Sequence, residues 1–247
     1  MADLMVTKEG VNDRLPLRLF RDSTTLPNIG KRSYLPSLTR LKVSRDIGSL
    51  MDKRLTPWQR LKGPGMYPVE YAAWLLNPLR YLIVPPGRIV DRLQLLPADR
   101  VLEVGCGPGF FSPAIARRLT AGHLTLLDAQ VPMLKMAAQH LGKHGLTNFT
   151  SISGLAESLP FADAAFDVVF MVTMLGEVPD RATAIREVAR ILRPGGRFSS
   201  TEAAGDPERV KRTELDAFAA LAGLEKGESW SGLLVKTFNY NKPRSLA

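Results

Sequence analysis

The feature that most constrains this chain is a short apolar run that carries an acidic residue and breaks into three closely spaced glycines, Val101-Leu-Glu-Val-Gly-Cys-Gly-Pro-Gly-Phe110. Arg100 to Val104 is β-branched and apolar, the pattern of a buried parallel strand. Gly105, Gly107 and Gly109 then permit a sharp turn at positive φ and leave no Cβ between the backbone and a ligand. Phe110 to Leu119 predicts a helix whose free N–H groups and positive dipole end face a carboxylate or phosphate.

The spacing is G-x-G-x-G. The dinucleotide fingerprint G-x-G-x-x-G needs glycine or alanine where Phe110 stands, which argues against a nicotinamide dehydrogenase. The next predicted strand, His123 to Leu127, ends on Asp128, where a carboxylate can accept both hydroxyls of a ribose. The competing reading is that Asp128 caps the helix beginning near Val131, with Pro132 in its first turn. After a loop of this kind the ribose reading is preferred.

Further along, Phe149 to Ser153 predicts a third strand and Asp167 to Val172 a fourth of the fully buried type. Leu155 to Ala165 between them is a loop. Asp180 follows Pro179 and is placed to cap a helix in which Ile185, Val188, Ala189 and Leu192 recur at i, i+3, i+4 and i+7. Arg193-Pro194-Gly195-Gly196 stops that helix. Arg197 to Glu202 predicts a fifth strand, Pro207 to Leu221 an amphipathic helix, and Glu225 to Tyr240 a final antiparallel hairpin around Gly232. Strands alternating with helices imply right-handed crossovers and an α/β, doubly wound, mostly parallel sheet of seven strands with helices on both faces. Ligands in such sheets bind outside the carboxyl ends of the strands, where Gly105 and Asp128 sit.

Four ordered segments now carry a resemblance: the glycine loop with Glu103 and Asp128, Gly154-Leu-Ala-Glu-Ser-Leu-Pro-Phe161, Phe166-Asp-Val-Val-Phe170, and Glu187-Val-Ala-Arg-Ile-Leu-Arg-Pro-Gly-Gly196. From about Trp74 to Tyr240 the chain resembles the Rossmann-like class I S-adenosylmethionine-dependent methyltransferases, especially the small-molecule enzymes related to quinone biosynthesis. The resemblance implies that Glu103, Gly105, Cys106, Gly107 and Gly109 meet the methionine end of S-adenosylmethionine, that Asp128 holds its ribose, and that Ala129, Ala156 and Met171 complete the cofactor site. Two departures stand out. Leu155 occupies a position where the family usually has an adenine-binding aspartate, which shifts adenine recognition to backbone near Ala156 and to packing. The family's frequent histidine after the fourth strand is absent at Gly176 and Glu177. Glu177 is the polar candidate there for a general base, with Glu202 at the end of the fifth strand as a second. The bland reading of each is a loop carboxylate.

Methyl transfer from a sulfonium needs alignment and exclusion of water more than a protein nucleophile, and no metal. That suits an inventory in which His123, His140 and His144 form no triad or metal cluster and Cys106 is the sole cysteine. One cysteine excludes a disulfide framework and suits a reducing, cytoplasmic setting. No apolar run approaches spanning length and no signal-peptide pattern opens the chain.

The net charge of +9 is uneven: residues 1–65 hold 13 Lys and Arg against 6 Asp and Glu. This Pro-containing segment reads as a solvated extension, with contact to nucleic acid, lipid headgroups or an import receptor as functional alternatives. Residues 66–98 read as a helical lid, with Tyr71 and Trp74, together with Met174, as candidate acceptor contacts, or as a helix merely packed on the sheet, or as a shallow membrane contact. Residues 99–247 form the cofactor-binding domain. The preferred expectation is methyl transfer to a small apolar or aromatic acceptor. The alternatives are an RNA or protein methyltransferase, and a non-catalytic cofactor-binding assembly protein.

Overall fold

The computed structural model describes residues 67–244, apart from Pro78, Arg80, Tyr81, Ile83, Gly205 and Pro207 and the side chain of Ala73. The basic front segment, residues 1–65, therefore lies outside the described residues. Seven strands are present among them: β1 (Arg100–Val104), β2 (His123–Asp128), β3 (Phe149–Ser153), β4 (Phe166–Val172), β5 (Leu192–Ala203), β6 (Glu225–Ser231) and β7 (Val235–Asn241). They hydrogen-bond in the order β3-β2-β1-β4-β5-β7-β6. The first five are parallel, and β7 enters antiparallel between β5 and β6. The chain turns outward from β1 to β3 and resumes at β4 on β1's other side, so a topological switch point opens between β1 and β4.

The strands alternate their side chains between two cores, as a period of two requires. Leu102, Val169 and Met171 face one cluster with Ile185, Val188 and Leu215, while Val101, Val168 and Phe170 face another with Leu93, Ile115 and Ala137. The helices divide accordingly. A 3-10 turn, Val69–Tyr71, leads into α1 (Ala72–Leu75). The second cluster is covered by α2 (Pro86–Leu93), α3 (Ser112–Arg118) and α4 (Val131–Lys143), and the first by α5 (Arg181–Ile191) and α6 (Arg212–Leu221). Asp180 caps α5 as its sequence position predicts, accepting from the Thr183 amide at 2.9 Å. This satisfies one of the donors a helix start leaves open.

Three boundaries differ from expectation. α3 starts at Ser112 because Phe110 and Phe111 are drawn out of the turn into a small cluster with Val84, Ile89 and Val235. α6 starts at Arg212, since the residues after β5 are held as a loop by Glu202, whose Oε2 accepts from the Val210 amide at 3.3 Å. β5 begins at Leu192, immediately after α5: Phe166 pairs with Leu192 and Val168 with Arg197, so residues 193–196 bulge, with Gly195 at φ +75°. The glycines that the sequence suggests as a plain stop leave the β4 register but bond to Lys242, the Gly195 amide donating to Lys242 O at 2.9 Å and the Lys242 amide to Gly196 O at 2.8 Å.

Asp167 anchors the opening of β4 to both neighbouring strands. Its Oδ2 accepts from the Arg100 amide at 2.6 Å, and Oδ1 accepts from Arg193 Nε. Burial opposes its ionisation, but these donors outweigh burial and hold the carboxyl below the usual aspartate range. A depressed acid contributes stability above its unfolded pKa and loses it as pH falls through the folded value. Asp167→Asn is expected to lower unfolding free energy by about 1–3 kcal/mol near neutral pH. Urea titrations should show the gap between variant and parent closing below about pH 4.

Candidate cofactor and acceptor site

The carboxyl ends of β1, β2, β4 and β5 surround a cavity of about 670 Å³. At its base the glycine loop is tied to β2 by main chain: the amides of Gly105 and Cys106 both donate to Leu127 O, at 2.7 and 3.1 Å. The Gly107 amide donates to Asp128 Oδ2 and the Gln130 amide to Asp128 Oδ1, each at 2.8 Å. Asp128 thus organises the turn after its own strand and the loop after β1, while its carboxylate lines the cavity. Burial raises its pKa and the two amides oppose the rise. It is not the N-cap of α4. That position is Gln130, whose side chain instead donates to Tyr67 O at 2.9 Å.

The glycines play separate roles. Gly105 has φ +70°, and a Cβ there would lie 2.2 Å from Met174 Cγ, so its smallness admits the turn after β4. Gly107 has φ +52°, and an added Cβ would meet only Leu75 Cδ1, at 3.8 Å, within the lined space. This is the position where bare backbone is open to a ligand. Gly109 packs against α4, since a Cβ there would come within 3.0 Å of Ala137, and its carbonyl meets His140 Nδ1 at 2.9 Å.

Glu103 lies deep in the cavity wall with Oε2 accepting from the Ser112 hydroxyl at 2.6 Å. Burial pushes its carboxyl up to about 8, the Ser112 bond opposes this, and the Asp128 charge adds to it. Across the cavity, the 3-10 turn Leu175–Glu177 carries Glu177, whose Oε2 accepts from the Tyr67 amide at 3.1 Å. Burial pushes Glu177 up to about 7 against that bond, and Asp206, Glu208 and Asp128 raise it further. Thr173, before this turn, sits at φ +50° and lines the cavity. A β-branched residue in that region is strained, and its amide is held by Thr201 O at 2.8 Å.

Of the residues singled out from sequence, Glu103, Gly105, Cys106, Gly107, Asp128, Ala129, Ala156, Met174 and Glu177 come together around this cavity, as does Leu155. Four others do not, and Gly109 is the fifth. Met171 is in the core with Ile185 and Val188, because its side chain points to the face of β4 that α5 covers, while the next residue, Val172, lines the cavity. Trp74 is 71% exposed and Tyr71 is off the cavity wall; from the same segment Tyr67, Pro68 and Leu75 line it instead. Glu202 is 4% exposed and turned inward, accepting from the Ser200 hydroxyl and the Val210 amide, so it holds the loop after β5 and is not part of this cavity's wall. Gln130, Met133, Thr173, Asp206 and Glu208 line the cavity and were missed. Asp206 and Glu208 follow β5, the first just before and the second inside the helix expected over Pro207 to Leu221, and no local pattern marks them. Among the described residues no group of His, Cys, Asp or Glu could hold a metal, and no helix is long and apolar enough to cross a membrane.

Fold and site together define a Rossmann-like α/β domain with a ligand cavity at its switch point. Residues 102–200 match the family model described as a methyltransferase domain. A ubiquinone biosynthesis O-methyltransferase of Xylella fastidiosa is 37% identical over 151 residues, covering 61% of this chain and 55% of that protein. Methyltransferase GfsG of Streptomyces halstedii is 31% identical over 158 residues, covering 60% and 55%. The chain spans about half the length of these curated relatives. Among solved structures, an S-adenosylmethionine-dependent methyltransferase from Aquifex aeolicus superposes with a TM-score of 0.67 at 20% identity, over 72% of this chain and 100% of that one. The described domain therefore shares its fold with that methyltransferase, and its central residues are similar to a methyltransferase domain.

Glu103, Glu177 and Glu202 all hold protons more tightly than free glutamate. Burial pushes Glu202 up to about 7, Ser200, Val210 and Arg181 oppose it, and Asp206 adds to it. Between about pH 4.5 and 7 the folded state therefore binds more protons than the unfolded chain, and these groups lose stability as pH rises. Glu202→Gln should flatten that fall, by at most about 1.4 kcal/mol per pH unit. Urea midpoints across this window check it; an unchanged slope would return Glu202 to an ordinary, solvated carboxylate.

Proposed function

We propose that this chain is an S-adenosylmethionine-dependent methyltransferase acting on a small organic acceptor. The observation that carries the reading is the open backbone at Gly107 joined to the Asp128 carboxylate at the base of one cavity. It offers a surface for a ligand's main body and a hydroxyl acceptor beside it, and the relatives named above are methyltransferases. The cofactor, when bound, supplies an activated methyl group on a sulfonium. The chain's own residues then do three things. Asp128 accepts from the ribose, Gly107 brings bare backbone against the methionine end, and the apolar wall of Leu75, Phe110, Phe111, Met133 and Met174 excludes water. Glu177 orients the acceptor and removes its proton, a role suited to a carboxyl whose pKa lies near neutrality. Leu155 lies in the wall where a carboxylate would bind adenine, so packing and backbone near Ala156 serve that end.

Calorimetric titration with S-adenosylmethionine and S-adenosylhomocysteine tests the reading, with NAD as control. Both adenosyl ligands are expected to bind and NAD is not. Asp128→Ala should weaken binding by about 1.5–3 kcal/mol, the worth of hydrogen bonds to a charged group. Absence of binding by folded protein would sink the proposal. Glu177→Gln should leave cofactor affinity intact and lower turnover, and the parent's kcat should rise with pH through about 7 as Glu177 deprotonates. A variant with the parent's kinetics and pH profile would remove Glu177 from the chemistry.

A further inference from the structure

We infer that the acceptor of this site carries a protonated amine, held at the end of the cavity formed by Glu177, Asp206 and Glu208. The inference rests on the methyltransferase reading above and specifies its substrate class.

The cavity has two chemically distinct ends. On the glycine-loop side, Glu103 and Asp128 are engaged by Ser112, Gly107 and Gln130. On the opposite side, the turn after β4 and the loop after β5 meet in direct backbone contact: a Cβ on Gly176 would lie 2.2 Å from Glu208 O. That contact brings Glu177 beside Asp206 and Glu208, and all three line the cavity. Internal donors serve them sparsely. Glu177 takes the Tyr67 amide through Oε2, and Asp206 Oδ1 takes the Glu208 amide at 2.9 Å.

Among the described residues, every charged side chain lining the cavity is acidic: Glu103, Asp128, Glu157, Glu177, Asp206 and Glu208. Residues 66–247 hold 20 Lys and Arg against 18 Asp and Glu, so an all-acidic lining does not follow from composition. The neighbouring cation, Arg181, is turned away, donating to Gly176 O and to Glu214. Arg209, on the same loop as Asp206 and Glu208, is exposed and off the cavity wall. Like charges converging on one wall repel: besides its burial, Asp206 and Glu208 make ionisation of Glu177 less favourable. A cation placed among them relieves that repulsion, whereas a carboxylate or phosphate would add to it. The rest of the acceptor faces Leu75, Met174, Val178 and Pro179, which fits an amine on a compact apolar body.

A charge series of one size tests this: 2-phenylethylamine, 2-phenylethanol and phenylacetate, titrated by calorimetry into protein saturated with S-adenosylhomocysteine. The amine is expected to bind at least about tenfold more tightly than the alcohol, the ratio one charge-assisted hydrogen bond supplies, and the carboxylate most weakly. In the double variant Asp206→Asn, Glu208→Gln the amine should lose most of that advantage while S-adenosylhomocysteine affinity stays the same, which also certifies the fold. An amine with no advantage over the alcohol, whether all three bind alike or none binds, overturns the assignment. So does an advantage that survives in the double variant. Failure of S-adenosylhomocysteine itself to bind would instead overturn the methyltransferase reading, so the two failures are distinct.

Discussion

The hydrogen bond from the Gly107 amide to Asp128 is the contact on which the rest of the site depends. With the paired amides of Gly105 and Cys106 on Leu127 O, it makes the ends of β1 and β2 one unit. A loop of three glycines would otherwise have large conformational freedom to lose on ordering a ligand. The bond spends that freedom within the folded protein. Asp128 does not take the helix-capping role that its sequence position also suggested; it organises the backbone after its strand and remains in the cavity wall.

The second constraint is electrostatic. Burial of Glu103, Glu177 and Asp128 is unfavourable to their ionised forms. The fold tolerates this through a few hydrogen bonds and raised proton affinity, with no buried cation lining the cavity among the described residues. Sites arranged for ligands commonly carry such unmet charge. The strained Thr173 and the Gly105–Met174 contact lie on the same turn as Glu177, so geometry and charge are concentrated at one strand end.

Much of this was legible from sequence. Strand β4 is a continuous apolar run because both of its faces are covered, and α5 announced its start through Asp180 and its buried face through Ile185, Val188 and Ala189. The glycine loop and Asp128 were readable because local backbone demands and a strand's terminal residue leave direct traces in residue type. Misreadings arose where a local pattern admitted two environments. Glu202 and Glu177 both end or follow a strand at the same sheet edge, yet one points under the loop to Val210 and the other into the cavity. Trp74 looked like a pocket aromatic, but the short turns of its segment present Tyr67, Pro68 and Leu75 inward.

The sequence alone determined the alternation of strands and helices, the position of the glycine turn and the carboxylate at the end of the next strand, because each depends on interactions within a few residues. Only tertiary structure decided which carboxylates share a cavity. Glu177, Asp206 and Glu208 belong to loops that follow different strands, and they meet because β4 and β5 are neighbours in the sheet and Gly176 lets the two loops touch. Which side of a strand end a side chain takes, and what charge it meets there, is set by pairing across the sheet, which no stretch of local sequence records.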